Sequence, residues 1–150
     1  MKLSPEIIAC INKSVLCWLA TVSKEHVPNV SPKEVFCQFD ETRIIVANIA
    51  SPQTVQHIKN NSKVCLSFID IFIQKGYQIK GDAAIIDKTF PEFVEMHKKL
   101  SIMTNDKFPI TKVISISVQS AKKIWAPSYQ FFPDTTEKEQ IEAAKKSYGI

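Results

Sequence analysis

The chain has 150 residues, 45% hydrophobic and 23% charged, which fits a folded globular protein and excludes a disordered or fibrous one. One domain around one core is expected at this length, and no apolar run reaches the roughly 18 residues of a spanning helix. The net charge of +4 does not argue for nucleic acid: Arg43 is the only arginine and the lysines are scattered, whereas base and phosphate clamping favours arginine.

In chain order, Ser4-Pro5-Glu6 opens a short helix, with Ser as N-cap, Pro at the first helical position and Ile7, Ile8 and Ile11 as its apolar face. Val15 to Ser23 changes to the period of a strand. Lys24-Glu25-His26 is a turn, and Val27 to Phe39 is one extended stretch. Asp40-Glu41-Thr42 turns into a third strand, Arg43 to Asn48. Ser51-Pro52-Gln53-Thr54 starts a second short helix, ending near Asn60-Asn61, with Val55 and Ile58 facing in and His57 facing solvent. Lys63 to Asp70 reads as a central fourth strand. Tyr77 to Ile86 is a fifth, with Gly81 marking a bulge or a close approach. Thr89-Phe90-Pro91-Glu92 reads as a capping box for a helix through about Leu100. Val113 to Val118 alternates as a sixth strand that can extend to Trp125. Thr136 to Glu139 is a second capping box, opening a C-terminal helix over about 136–147. Trp18, between Leu16 and Leu19, reads as core. The expected class is mainly β (α+β): six strands with short flanking helices, in a single domain over 1–150.

The four cysteines (Cys10, Cys17, Cys37 and Cys65) form no Cys-x-x-Cys pair and sit among apolar neighbours. They read as reduced, buried thiols in a cytoplasmic protein. The N-terminal residues do not resemble a secretion signal. His26, His57 and His97 have no ligand spacing, so no metal site is expected. With glycines only at 76, 81 and 149, a Rossmann fingerprint and a P-loop are excluded.

Two segments can carry chemistry. At Ala47-Asn48-Ile49-Ala50-Ser51-Pro52-Gln53-Thr54 a strand gives way to a helix N-terminus flanked by hydroxyls, a suitable seat for a phosphate. Ser51 also serves simply as an N-cap. In Val27-Pro28-Asn29-Val30-Ser31-Pro32-Lys33, two prolines demand a sheet edge whose free backbone groups can meet the rim of a planar heterocycle. Lys33 is either a charge beside that ring, raising its redox potential, or a solvated lysine.

These segments, with Leu19-Ala20-Thr21-Val22-Ser23, Ile45-Val46-Ala47-Asn48 and Gly76 to Gly81, resemble the FMN-binding split β-barrel family that includes pyridoxamine 5'-phosphate oxidases. The resemblance spans about residues 12–127. It implies a six-stranded antiparallel split β-barrel and a homodimer with FMN at the subunit interface. It also implies flavin contacts at Val30, Ser31, Pro32, Lys33, Ala47, Asn48, Ile49, Ser51, Gln53 and Thr54, with Trp125 approaching the partner's flavin or lining the dimer interface. Many family members carry lysine or arginine where Gln53 stands, so the phosphate's countercharge would come from Lys33 or Lys80. No arginine lies between Lys122 and Ile150, which argues against pyridoxamine phosphate as substrate. The implied function is a flavin-dependent oxidoreductase acting on another small molecule or redox partner, with no membrane or nucleic-acid partner. A non-enzymatic flavin carrier, or a split barrel binding haem or a deazaflavin, is the alternative.

Overall fold

The computed structural model describes all 150 residues, as seven strands and five helices. In chain order they are α1 (Pro5–Lys13), β1 (Cys17–Val22), β2 (Pro28–Lys33), β3 (Phe36–Gln38), β4 (Arg43–Asn48) and α2 (Pro52–Asn60). Then follow β5 (Lys63–Asp70), β6 (Lys75–Asp87), α3 (Phe93–Thr104), β7 (Lys112–Trp125), α4 (Pro127–Phe131) and α5 (Glu137–Tyr148). All strands join one antiparallel sheet in the order β2-β1-β5-β6-β7-β4-β3. The protein is therefore mainly β with flanking helices, as the sequence indicates, but with seven strands rather than six.

The extra strand comes from the stretch 27–39, which is two strands and not one. β2 and β3 lie at opposite edges of the sheet, and only Glu34 and Val35 separate them in sequence. So short a link can join the two edges only if the sheet curls until they approach each other. Phe36 on β3 confirms the curl, because its ring centroid is 6.1 Å from that of Phe68 on β5, four strands along. In a flat sheet those strands would stand about 19 Å apart.

The inside of this half-barrel holds the main core, including Leu19, Ile44, Leu66, Phe68, Ile79 and Ile116, and α1 packs into it through Ile7 and Ile11. Ser4 caps α1 as expected, its Oγ accepting from Ile7 N at 3.3 Å. A second core, with Ile45, Ala47 and Val113 against Met96 and Leu100 of α3, lies on the other side of the sheet. Strand β4 is thus buried on both faces, which explains its unbroken apolar run. Gly81 sits at a register shift: Lys80 opposes Ser120 and Gly81 opposes Val118, leaving Gln119 unpaired. A Cβ at Gly81 would collide with the Ser117 carbonyl.

Three expectations are corrected. The Thr89–Glu92 capping box does not form. Asp87 Oδ1 accepts from Thr89 N and Oγ1 at 2.9 and 2.6 Å, Glu92 pairs with Arg43, and the helix begins only at Phe93. Trp18 is 48% exposed because Cys17, Leu19 and Thr21 take the inward positions of β1 and leave it on the outer face. His57, expected at the surface, is buried. The Thr136 box does form, with Thr136 Oγ1 accepting from Glu139 N and Glu139 Oε2 accepting from Thr136 N. All four cysteines are free thiols, and no helix is long and apolar enough to cross a membrane.

Candidate functional site

Strand β2 is an edge strand bonded only to β1, with Pro28 opposite Val22, Val30 opposite Ala20 and Pro32 opposite Trp18. Proline cannot donate to a ladder, so these three positions direct their backbone groups away from β1. Among them only Val30 has an N–H, so it offers both a donor and an acceptor along the free edge. Ser31 and Lys33 alternate with them, opposite Leu19 and Cys17 on the inner face. Lys33 is buried, at 8% exposure.

Helix α2 lies over this inner face and meets it once per turn. Lys33 Nζ donates to Ser51 Oγ at 2.5 Å, Ser31 Oγ and Thr54 Oγ1 are 3.4 Å apart, and Thr21 Oγ1 is 3.1 Å from His57 Nδ1. Residues 51, 54 and 57 form one stripe, and this second inward stripe beside Val55 and Ile58 is what buries His57. Thr21 and His57 were not singled out from the sequence. Their signal is the three-residue spacing from Ser51, legible only once the helix's neighbour is known.

Ser51 stands at the N-cap of α2 but does not cap it, since its hydroxyl accepts from Lys33 instead. Pro52 has no N–H, and the N–H groups of Gln53 and Thr54 receive no side-chain cap, so the positive end of the helix stays open. Burial pushes the Lys33 ammonium below the ordinary lysine value. None of the ion pairs includes Lys33. The opposing Cys17 thiol, pushed up to about 12 by burial, stays neutral at physiological pH. A buried cation is ordinarily paired, and this one has only a hydroxyl. Asn48 is also buried, and its Oδ1 has no hydrogen-bond partner. It follows Ile44 and Val46 on the inner face of β4, three residues before Ser51.

The structure therefore brings Ser31, Lys33, Ser51 and Thr54 together, with Asn48 on the same inner side. Val30 and Pro32 lie on the outer face of the same edge strand. Ile49 and Gln53 are exposed in and just after the strand-to-helix turn. Ala47 points the other way, into the α3 core, and its N–H is bonded to Val35 O at 2.9 Å, so only its carbonyl is available. Trp125 is not part of the cluster, because it opposes Lys75 at one end of β7 while Asn48 pairs with Lys112 at the other. Lys80 is exposed on the outer face, opposite Cys65, which leaves Lys33 as the cation at the helix start. Two free N–H groups, three hydroxyls, one ammonium and one spare amide oxygen are the groups that suit an anion with a polar body, as a phosphate ester has.

The family model for pyridoxamine 5'-phosphate oxidase matches residues 3–139. No curated protein matches the sequence. Among solved structures, the fold is shared with HupZ of Group A Streptococcus at a TM-score of 0.72 and 23% identity, over 83% of this chain and 95% of that one. An FMN-binding protein from Syntrophomonas wolfei aligns at 0.67 and 18% identity, over 78% and 82%. HutZ, the heme storage protein of Vibrio cholerae, aligns at 0.63 and 18% identity, over 83% and 96%. At these identities the likeness is one of fold.

Proposed function

The chain belongs to the pyridoxamine 5'-phosphate oxidase family, and from that premise we propose that it binds FMN through Lys33 and the start of α2. The observation that carries this reading is the buried Lys33 ammonium, without a carboxylate partner, beside an uncapped helix N-terminus. In this reading the Lys33 ammonium, the Ser51 and Thr54 hydroxyls and the N–H groups of Gln53 and Thr54 hold the phosphate. The backbone of Val30 to Pro32 borders the ring, and Asn48 Oδ1 accepts from a donor on the cofactor. Bound flavin would supply hydride or electron transfer; the chain's own part is to bind, orient and shield it.

A phosphate-bearing cofactor suits the cluster better than haem. Haem calls for an axial side-chain ligand, and His57, the imidazole at the cluster, is buried between α2 and β1 and not open to a macrocycle. The proposed activity is that of a flavin-dependent oxidoreductase. Pyridoxamine phosphate is a poor candidate substrate, because Arg43 is tied to Asp40 and Glu92 and leaves no guanidinium to grip a second phosphate. The reading includes a homodimer with the flavin between subunits. Trp18 and Val30, 48% and 56% exposed on the outer face, would be covered there, and Trp125 could reach a flavin only from the partner subunit. Four free thiols suit a cytoplasmic location.

Titration of the purified protein with FMN, and separately with hemin, followed by visible absorption, tests this. The expected result is saturable uptake of FMN with perturbed flavin bands. A protein that takes up hemin and no FMN would overturn it. Anaerobic reduction by NAD(P)H, followed by reoxidation with candidate acceptors, then separates an enzyme from a carrier.

A further inference from the structure

A cavity of about 290 Å³ opens between α1, the β5–β6 turn, the end of β7 and the start of α5. Ala9, Ile73 and Ile124 give it apolar surface, and Trp125, 58% exposed, gives it an aromatic wall. Two of its lysines lie over aromatic rings: Lys75 over Tyr129 at 4.5 Å and Lys123 over Trp125 at 5.8 Å. Each is also held by a carboxylate from a helix, Lys75 by Glu137 at 2.8 Å and Lys123 by Glu6 at 2.9 Å.

The cavity's acids are already engaged. Glu6 and Glu137 are in those ion pairs, and Asp70 Oδ1 accepts from the N–H groups of Phe72 and Ile73 at 2.9 and 3.2 Å. Of the three donors on each ammonium, Lys75 and Lys123 keep two spare, and Lys13 has no carboxylate partner at all. Three lysines thus face three acids, so an incoming carboxylate must take the place of one of them, while the exposed Trp125 ring still lacks a flat apolar partner. Glu137 is the most displaceable of the carboxylates. It belongs to a C-terminal segment fastened to the β5–β6 turn largely by polar contacts: Tyr129 OH to Ile73 O at 2.7 Å, Tyr148 OH to Ile71 O at 3.0 Å, and Ala126 N to Gln74 O at 3.0 Å. Helix α5 buries only Gln140 and Ala144, and most of it lies beyond residue 139, where the family match ends.

We propose that this cavity binds a small aromatic carboxylate, whose carboxylate replaces Glu137 on Lys75 and whose ring lies against Trp125. The volume is at the small end for ligand sites and suits one or two fused rings. In the free protein the Glu137 carboxylate stands in for the ligand's, so the Lys75–Glu137 pair both closes the site and competes for it. The cavity shares no lining residue with the Lys33 cluster of its own subunit, and only Trp125 with the dimer of the flavin reading.

The test is a ¹⁵N-NMR titration of the full chain, as purified, with 1-naphthoate. Trp18→Phe assigns the two indole N–H signals. The Trp125 signal is expected to shift saturably with 1-naphthoate and to stay in place with neutral 1-naphthylmethanol. Lys75→Met should weaken binding by about tenfold or more, the loss of a hydrogen bond to a charged group, with Lys75→Gln as the second variant should the first fail to fold. Glu137→Gln should tighten binding, because the internal competitor is gone. A purely structural ion pair would make both variants change binding in the same direction. That result, an unmoved Trp125 signal, or equal binding of the neutral analogue would overturn the proposal.

Discussion

Replacing Lys33 with methionine keeps the length and apolar stem of the side chain and deletes its ammonium. The proposed site gives opposite consequences for the free and the FMN-bound protein. In the free protein Lys33 is 8% exposed, donates to one hydroxyl and has no carboxylate partner, so its removal relieves a desolvated charge. Half-buried Ser51 then loses a donor, a penalty within about 1 kcal/mol. The unfolding midpoint without ligand should therefore hold or rise. In the bound protein the variant loses a hydrogen bond to a charged group, about 1.5–3 kcal/mol, which raises the FMN dissociation constant by about 10- to 150-fold. Riboflavin, which lacks the phosphate, should bind wild type and variant alike. Flavin fluorescence titrations with both ligands, together with thermal unfolding of the apoprotein, read all three quantities. Equal losses for FMN and riboflavin, or no loss for either, would refute the placement of the phosphate at Lys33.

Thr54→Val should weaken FMN by about 1.5–3 kcal/mol in the same titration, and an unchanged affinity would move the phosphate away from α2. Asn48→Ala removes a buried oxygen that has no partner, so scanning calorimetry should show little loss in the apoprotein and a smaller FMN-induced rise in the midpoint. Burial depresses Lys33, so between its folded value and the ordinary lysine value the unfolded chain binds more protons than the folded one. Stability from this group therefore rises with pH in that window. Relative to Lys33→Met, the wild-type apoprotein should gain stability as the pH rises toward the ordinary lysine value of about 10.4; a parallel pair of unfolding curves would contradict the assignment. Gly81→Ala places a Cβ against the Ser117 carbonyl and should cost on the order of 1–3 kcal/mol in denaturant unfolding.

Most of the strands were legible because their alternation and turn residues are local signals, and so were the Ser4 and Thr136 caps. The split of residues 27–39 between two edges was not, since it depends on the curl of the whole sheet. Trp18 and His57 were misplaced for a related reason. Each sits in a pattern with two possible inward faces, and only the neighbour that packs there decides between them. The Thr89 box failed to a local competitor, Asp87, and to a distant one, Arg43. At the candidate site, the sequence marked the proline-bearing edge strand and the Ser-Pro helix start as separate segments. Their meeting through Lys33 and Ser51 is tertiary, as is the lack of any carboxylate for Lys33. In the proposed reading, that contact moves Lys33 from a position beside a ring to the phosphate end of the site.

The most direct test is a crystal structure of the protein grown with FMN. The account predicts a flavin phosphate within hydrogen-bond distance of Lys33 Nζ, Thr54 Oγ1 and the first N–H groups of α2. FMN bound with its phosphate elsewhere, or Lys33 still bonded to Ser51 alone in a crystal saturated with FMN, would contradict it.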